Sequence, residues 1–310
     1  MKQLLSLILS VLVCYQLHAE PFKFVALGDT AYGGAAVKAK YHELIDLINQ
    51  AKPAFSIHIG DLWGAAICNE ERYLEEFERF ERFEQPVFFT PGDNEWTDCN
   101  RYAYGNYENV SRLELIRDIF FADATSLGAN PMSMVRQADI SQFIDYVENA
   151  RWLYEDVLFL TLNVAGSFNN LQIKHERSIQ EAFERHKANI AWLRDSFRIA
   201  RENDLPAVVL SMHAEILDAS TADDYLPGEF DDLVSEIQLA AYRFGKPVLL
   251  IHGDFHKFII DRPFLESREP GRYGNITRLQ VYGDPDIRGV QVGVDTSKKW
   301  VFSYEPIYVE

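Results

Sequence analysis

Basic residues are scarce in this chain: 30 lysines and arginines stand against 47 aspartates and glutamates over 310 residues, a net charge of −17. Such a surface repels polyanions, which argues against nucleic acid or an anionic membrane as partner. Long apolar runs are missing too. The N-terminal run LLSLILSVLV is too short to span a bilayer comfortably. Lys2 precedes it and Ala19 sits just before Glu20-Pro21, the pattern of a cleaved signal peptide over 1–19. The expectation is an exported protein, periplasmic or secreted, without stable membrane insertion. Cysteine is the scarcest of all, with three residues, of which Cys14 falls in the leader and Cys68 and Cys99 remain. An even count in an exported chain favours a disulfide over two buried thiols. Pro- or Ser-rich linkers are absent, so 20–310 is expected to form one domain, and 47% hydrophobic content allows a sizeable core.

What is present is a repeated chemical signature. Four hydrophobic runs end in Gly-Asp: FKFVALGD on Asp29, FSIHIGD on Asp61, PVFFTPGD on Asp93 and PVLLIHGD on Asp254. A fifth run, AVVLSMHAE, carries His213, and Asp254 is followed by Phe255 and His256. Apolar runs of this length, rich in Val, Ile and Phe, read as buried parallel strands. The spacing is 32 residues from Asp29 to Asp61 and 32 again to Asp93, about what one helix needs to return the chain to the same sheet edge. Residues at the carboxyl ends of parallel strands converge on one crevice, where such sheets bind ligands. Carboxylates crowded there repel one another, and divalent cations are the usual remedy.

Between the first strands the pattern predicts helices, one through Leu44, Ile45 and Ile48 and one over NEERYLEEFERFERFEQ. The second places Tyr73, Phe77 and Phe80 on one face and pairs Glu75 with Arg79 and Glu78 with Arg82 on another. A helix is expected near Leu113–Phe121. ARWLYEDVLFLTLNV reads as two strands turning at Glu155-Asp156 into the loop GSFNN at 166–170. A long helix from 178 to 203 is expected to bury Ile179, Phe183, His186, Ile190, Leu193 and Phe197, with His186 a core residue. Another helix falls near Leu233–Phe244. The strand-like tail beyond 256 is expected to close a second sheet.

The ordered series of Gly-Asp at 28–29 and 60–61, Gly-Asp-Asn-Glu at 92–95, His213 and Gly-Asp-Phe-His at 253–256 resembles the calcineurin-like metallophosphoesterase superfamily, with purple acid phosphatases as secreted relatives. The resemblance covers nearly all the mature chain. It implies an α/β fold of two mixed β-sheets sandwiched between helices, and a site for two metals bridged by an aspartate and a solvent hydroxide. Carried over, Asp61 would bridge, Asp29 and His256 would bind the first metal, and Asp93, His213 and Asp254 the second. The implied activity is metal-dependent hydrolysis of a small phosphate ester, and no protein partner is inferable.

This sequence departs from the family pattern in one direction. Ala31 stands where a histidine ligand is frequent, Gly64 where the purple enzymes have tyrosine, Asp93-Asn94 where Asn-His is usual, and Asp254 where histidine is usual. Four aspartates and two histidines make an oxygen-rich site, which favours Mn²⁺ foremost, with Mg²⁺ or Ca²⁺ preferred over Zn²⁺ and with Fe also a candidate. Asn94, the candidate catalytic residue, can hydrogen-bond a phosphate oxygen but has no acidic proton to give a leaving group.

Weaker candidates are read more plainly. His58 and His252 lie within apolar strands as hydrogen-bonded supporting groups rather than ligands. Gly283-Asp284-Pro285 is an ordinary turn. Trp63 and Trp96 either shape the mouth of the site or lie buried under neighbouring loops. Two rivals to the hydrolase remain: a weak or inactive family member that binds metal or a phosphate ligand, and an acidic protein using calcium structurally. Imidazoles among the aspartates count against the last.

Overall fold

The computed structural model describes residues 20–139, 141–172, 174–218, 226–265 and 273–309. The leader at 1–19 lies outside them. The first third alternates as expected: β1 (Phe22–Leu27), α1 (Ala35–Ala51), β2 (Ser56–His58), α2 (Glu70–Phe80) and β3 (Val87–Phe89), followed by α3 (Asn109–Phe120). The three strands are parallel neighbours. α1 buries Tyr41, Leu44, Ile45 and Ile48, one stripe at helical spacing. α2 carries Glu70 and Glu71 in its first turn and Arg79 in its last, charges that complement the helix dipole. Tyr73 and Phe80 are buried and Glu75 pairs with Arg79 at 3.3 Å, whereas Arg82 reaches Asp46 on α1.

A seven-stranded sheet follows, in the order β4-β5-β6-β7-β8-β10-β9. Its strands are β4 (Val135–Arg136), β5 (Ala150–Tyr154), β6 (Val157–Thr161), β7 (Val208–Ser211), β8 (Val248–His252), β9 (Ile259–Asp261) and β10 (Ile276–Gln280). Glu155 and Asp156 both take left-handed backbone, with φ of 45° and 61°, which suits a two-residue hairpin between β5 and β6. α4 (Glu176–Glu202) and α5 (Asp231–Phe244) cover its outer face.

The tail does not close one sheet but divides between two. β9 and β10 extend the seven-stranded sheet, while β11 (Arg288–Val294) pairs antiparallel with β1, and β12 (Phe302–Tyr308) pairs with β11. The first sheet therefore runs β12-β11-β1-β2-β3. β1 is buried on both faces, so its free edge needs a partner, and β11 supplies it.

Three apolar cores hold four layers together. Val25 and Leu27 of β1 face α1 and the helices beyond, while Phe24 and Ala26 face Phe159, Val209 and Ile251 of the second sheet. Leu158, Leu160, Val208, Leu210 and Leu250 pack outward on Trp192, Phe197 and Ile237 of the outer helices. The apolar runs lack alternation because both faces of these strands are covered.

One helical stripe holds at Leu193 and Phe197 but not at Phe183, and His186, expected in the core, is only half-buried, as are Ile179 and Ile190. On α4 the buried face runs through Ala182, Arg185, Ala188, Asn189, Trp192, Leu193, Ser196, Phe197 and Ala200, while Phe183 is 55% exposed. Arg185 faces inward because every side of its guanidinium is used. It donates to Asn163 O, Asn169 Oδ1, Asn169 O and Glu181, and it lies over the Trp96 ring. A reading weighted by apolarity has no means to turn a helix toward a satisfied charge.

Candidate metal centre

Each strand end that carries a site residue turns sharply. Asp29, Asp61, Asp254 and His256 all have left-handed backbone, with φ of 51°, 56°, 74° and 53°. Asp tolerates this region better than most side chains, and it swings each carboxylate back over the sheet edge. The preceding glycines have a separate task. A Cβ on Gly92 would lie 2.1 Å from Asp61 Oδ1, and one on Gly253 would lie 2.2 Å from Asp29 Oδ2. At Gly92 and Gly253 the missing Cβ thus admits the carboxylate of a neighbouring loop, whereas Gly28 makes room for Ile59 and Gly60 for the Gly92 backbone.

The carboxyl ends of both sheets meet at this point. Asp29, Asp61 and Asp93 follow β1, β2 and β3, while His213, Asp254 and His256 follow β7 and β8. Their atoms form two groups that could hold a metal ion, Asp29–Asp61–His256 and Asp61–Asp93–His213, each with ligand atoms within 4.8 Å of one another. Asp61 belongs to both. His213 Nδ1 is 3.0 Å from Ile59 O, and Nε2 lies 3.5 Å from Asp61 Oδ1, 3.4 Å from Asp93 Oδ1 and 3.8 Å from Asp254 Oδ1. Asp254 stands beside the second group; its Oδ2 accepts from Glu215 N at 3.3 Å.

The electrostatics are those of a crowded anionic cluster. Burial pushes Asp29 up to about 6, against the pull of His213 and His256. Burial, then the Asp93 charge, raises Asp61 strongly, and burial also raises Asp254. Burial works the same way on Asp93, but hydrogen bonds and charge from His213, with hydrogen bonds from Asp61 and Ser167, hold it below the usual carboxylate range. His213 is raised: burial opposes its charge, and Asp61, Asp93, Asp254 and Asp29 outweigh burial. The cluster attracts positive charge, and divalent cations would replace those protons. Among the described residues Asp29 Oδ1 is buried without a hydrogen-bond partner, which fits a ligand atom aimed at a cation.

Glu95 and Tyr32, to which the sequence reading gave no role, hold this arrangement together with Asn94, the candidate catalytic residue. Glu95, fully buried, accepts from the backbone N–H groups of Asp61, Leu62 and Gly92, locking the second and third loops together. Burial lifts it to about 7, against those three donors. Asn94 points its amide at Asp61 Oδ2 and at the Tyr32 hydroxyl, and accepts from Tyr104. The Tyr32 hydroxyl itself donates to Asp61 Oδ2, and its ring packs beside Gly64 and against His256. A Cβ on Gly64 would lie 3.1 Å from the Tyr32 side chain, so the glycine leaves room for this ring.

The loop at 166–170 and the turn at 283–285 also take part. Ser167 Oγ donates to Asp93 Oδ2 at 2.7 Å, and a Cβ on Gly166 would sit 2.9 Å from both Asp93 and Asp254. His256 Nδ1 lies 2.8 Å from Asp284 O, and Asp284 N donates to Asp29 O at 2.8 Å. The Gly-Asp-Pro turn is thus a turn that orients a ligand candidate through its backbone, not its carboxylate. His58 and His252 are buried, and burial pushes both down to about 3. Trp63 and Trp96 are buried rather than lining a mouth. Cys68 and Cys99 form a disulfide that ties the loop after β2 to the loop after β3.

The family model described as calcineurin-like phosphoesterase matches residues 22–258. The chain belongs to the calcineurin-like phosphoesterases. Members of this family bind divalent metals, and the Asp and His groups above could hold them. Among solved structures, one titled "GAP50 the anchor in the inner membrane complex of Plasmodium" is similar, with 11% identity over 94% of this chain and 89% of that one and a TM-score of 0.50. At that identity the likeness speaks for the fold of this phosphoesterase and no more. No curated protein matches the chain.

Proposed function

We propose that this phosphoesterase is an exported, dinuclear metal-dependent hydrolase of small phosphate esters. The observation that carries the reading is the membership of Asp61 in two adjoining ligand groups, a bridging arrangement built from both sheets. Asp29, Asp61 and His256 would hold one ion, and Asp61, Asp93 and His213 the other, with Asp254 completing the second. When bound, two such ions lower the pKa of water and neutralise charge on the phosphoryl group. The protein's own part is positional. Tyr32 and Asn94 fix the Asp61 carboxylate, the Asp284 carbonyl fixes the His256 ring, Ile59 O fixes His213, and Ser167 fixes Asp93. The buried disulfide and the leader-like 1–19 favour an oxidising compartment. Among the described residues no helix is long and apolar enough to cross a membrane.

Metal analysis of the purified protein together with turnover of aryl phosphate mono- and diesters tests this. Asp61→Asn should lower both metal content and activity by more than about 100-fold, beyond the loss typical of a residue that only orients a ligand. A metal content unchanged by Asp61→Asn refutes the site. A second reading, a member that binds metal or a phosphate ligand without turnover, is favoured by Asn94, whose amide is already committed to Asp61, Tyr32 and Tyr104. Metal binding with no hydrolysis of any ester would select it.

A further inference from the structure

A cavity of about 410 Å³ opens beside the second ligand group, and two of its walls touch Asp93 directly. Ser167 Oγ donates to Asp93 Oδ2 at 2.7 Å, and Thr97 Oγ1 to Asp93 O at 3.4 Å. Its volume falls in the range of about 300–1,000 Å³ usual for small-molecule sites. Phe168, Leu171 and Leu226 give it an apolar lining, and Leu226 is 36% exposed. Among the described residues that line it, Arg101 and Lys174 carry charge and none is a carboxylate. Arg101 is steered into place: Nη1 pairs with Asp98 at 2.8 Å outside the lining, and Nη2 donates to Ser167 Oγ at 3.0 Å. A chain of two hydrogen bonds therefore joins the cationic wall to Asp93.

We propose that this cavity receives the organic group of the substrate, and that this group is a planar aromatic one bearing a second negative charge. The inference rests on the phosphoesterase reading above, and it adds the substrate class. With the phosphoryl group over the two ligand groups, the leaving side of the ester reaches the cavity past Ser167. The Phe168 ring and the two leucines bury an aromatic face, and Lys174 meets the remote anion.

The test uses the full chain loaded with Mn²⁺ and three substrates: 1-naphthyl phosphate, a carboxylated naphthyl phosphate, and acetyl phosphate, which has no ring to place. Leu171→Glu should lower the kcat/KM ratio of naphthyl over acetyl phosphate by about 10-fold, the scale of a spoiled apolar pocket. Lys174→Glu should lower the preference for the carboxylated over the plain naphthyl ester by about 3-fold, as for one solvent-exposed charge pair. An unchanged first ratio overturns the pocket, and an unchanged second preference overturns its anionic half. If wild type hydrolyses none of the three, the catalytic reading fails, and binding of a naphthyl phosphonate followed by fluorescence decides the pocket alone. Saturable binding weakened by Leu171→Glu keeps it; binding that is absent or unaffected removes it.

Discussion

The two ligand groups share Asp61 yet are supported unequally. Asp61, Asp93 and His213 are all buried, whereas the other group ends on a half-exposed His256. Behind the buried group stand Ser167, the loop anchored by Arg185, and a disulfide linking the two loops that deliver its carboxylates. The open group relies on the Tyr32 hydroxyl and on a carbonyl from the far end of the chain. One carboxylate can therefore serve two positions of different firmness, and the firmness comes from what stands behind the ligands rather than from the ligands themselves.

The sharpest way to break this contrast is to cut the disulfide. Its ends lie 31 residues apart, and closing such a loop constrains the unfolded chain by roughly 3–4 kcal/mol. Cys68→Ser with Cys99→Ser should lower stability by about that amount in denaturant unfolding, and should weaken metal retention at the buried group more than at the open one. Next, His213→Ala and His256→Ala should each leave about one ion per chain instead of two by metal analysis, with the remaining ion harder to strip by chelator in His256→Ala.

Protons should sharpen the same contrast. An ion displaces the proton of Asp29, which titrates near 6, whereas Asp93 is already ionised well below that. At the buried group an ion must instead displace the proton that the surrounding aspartates hold on His213, so affinity should fall with pH at both groups, that of the open group steepening only below about 6, read from metal titrations at pH 5, 6 and 7.5. The smallest effect should come from Ser167→Ala, a loss of about 10-fold in affinity at the buried group, with His256 and its group unaffected. Equal losses at both groups would show that the two share their support.

What was legible in the sequence follows this division. The apolar runs and their Gly-Asp ends disclosed the buried parallel strands and a shared sheet edge, because burial on both faces demands a narrow residue class, while the grouping of the ligand candidates came with the family resemblance. Cys68 and Cys99 were readable as a pair for another reason, the even count left outside 1–19 in a chain expected to be exported. The supports were not. Tyr32, Ser167 and the Asp284 carbonyl act across 29, 74 and 28 residues of chain, and nothing in local pattern marks a hydroxyl or carbonyl for such a contact. Arg185 was hidden because its place in the core depends on acceptors from a separate loop. The division of the tail between two sheets was likewise hidden, since strand periodicity records which residues pair but not with whom.

The pairing of β1 with β11 sets Phe22 opposite Val294. The first strand cannot find that neighbour until β11 has followed it out of the ribosome, and the Asp284 carbonyl that steadies His256 also emerges late. The family match ends at 258, but a polypeptide stopped there would expose an unpaired edge of β1 and leave the His256 ring unheld. Long-range pairing of this kind is slow to form. The edge of β1 and the ring of His256 therefore stay unfinished until the segment beyond 258 has been made.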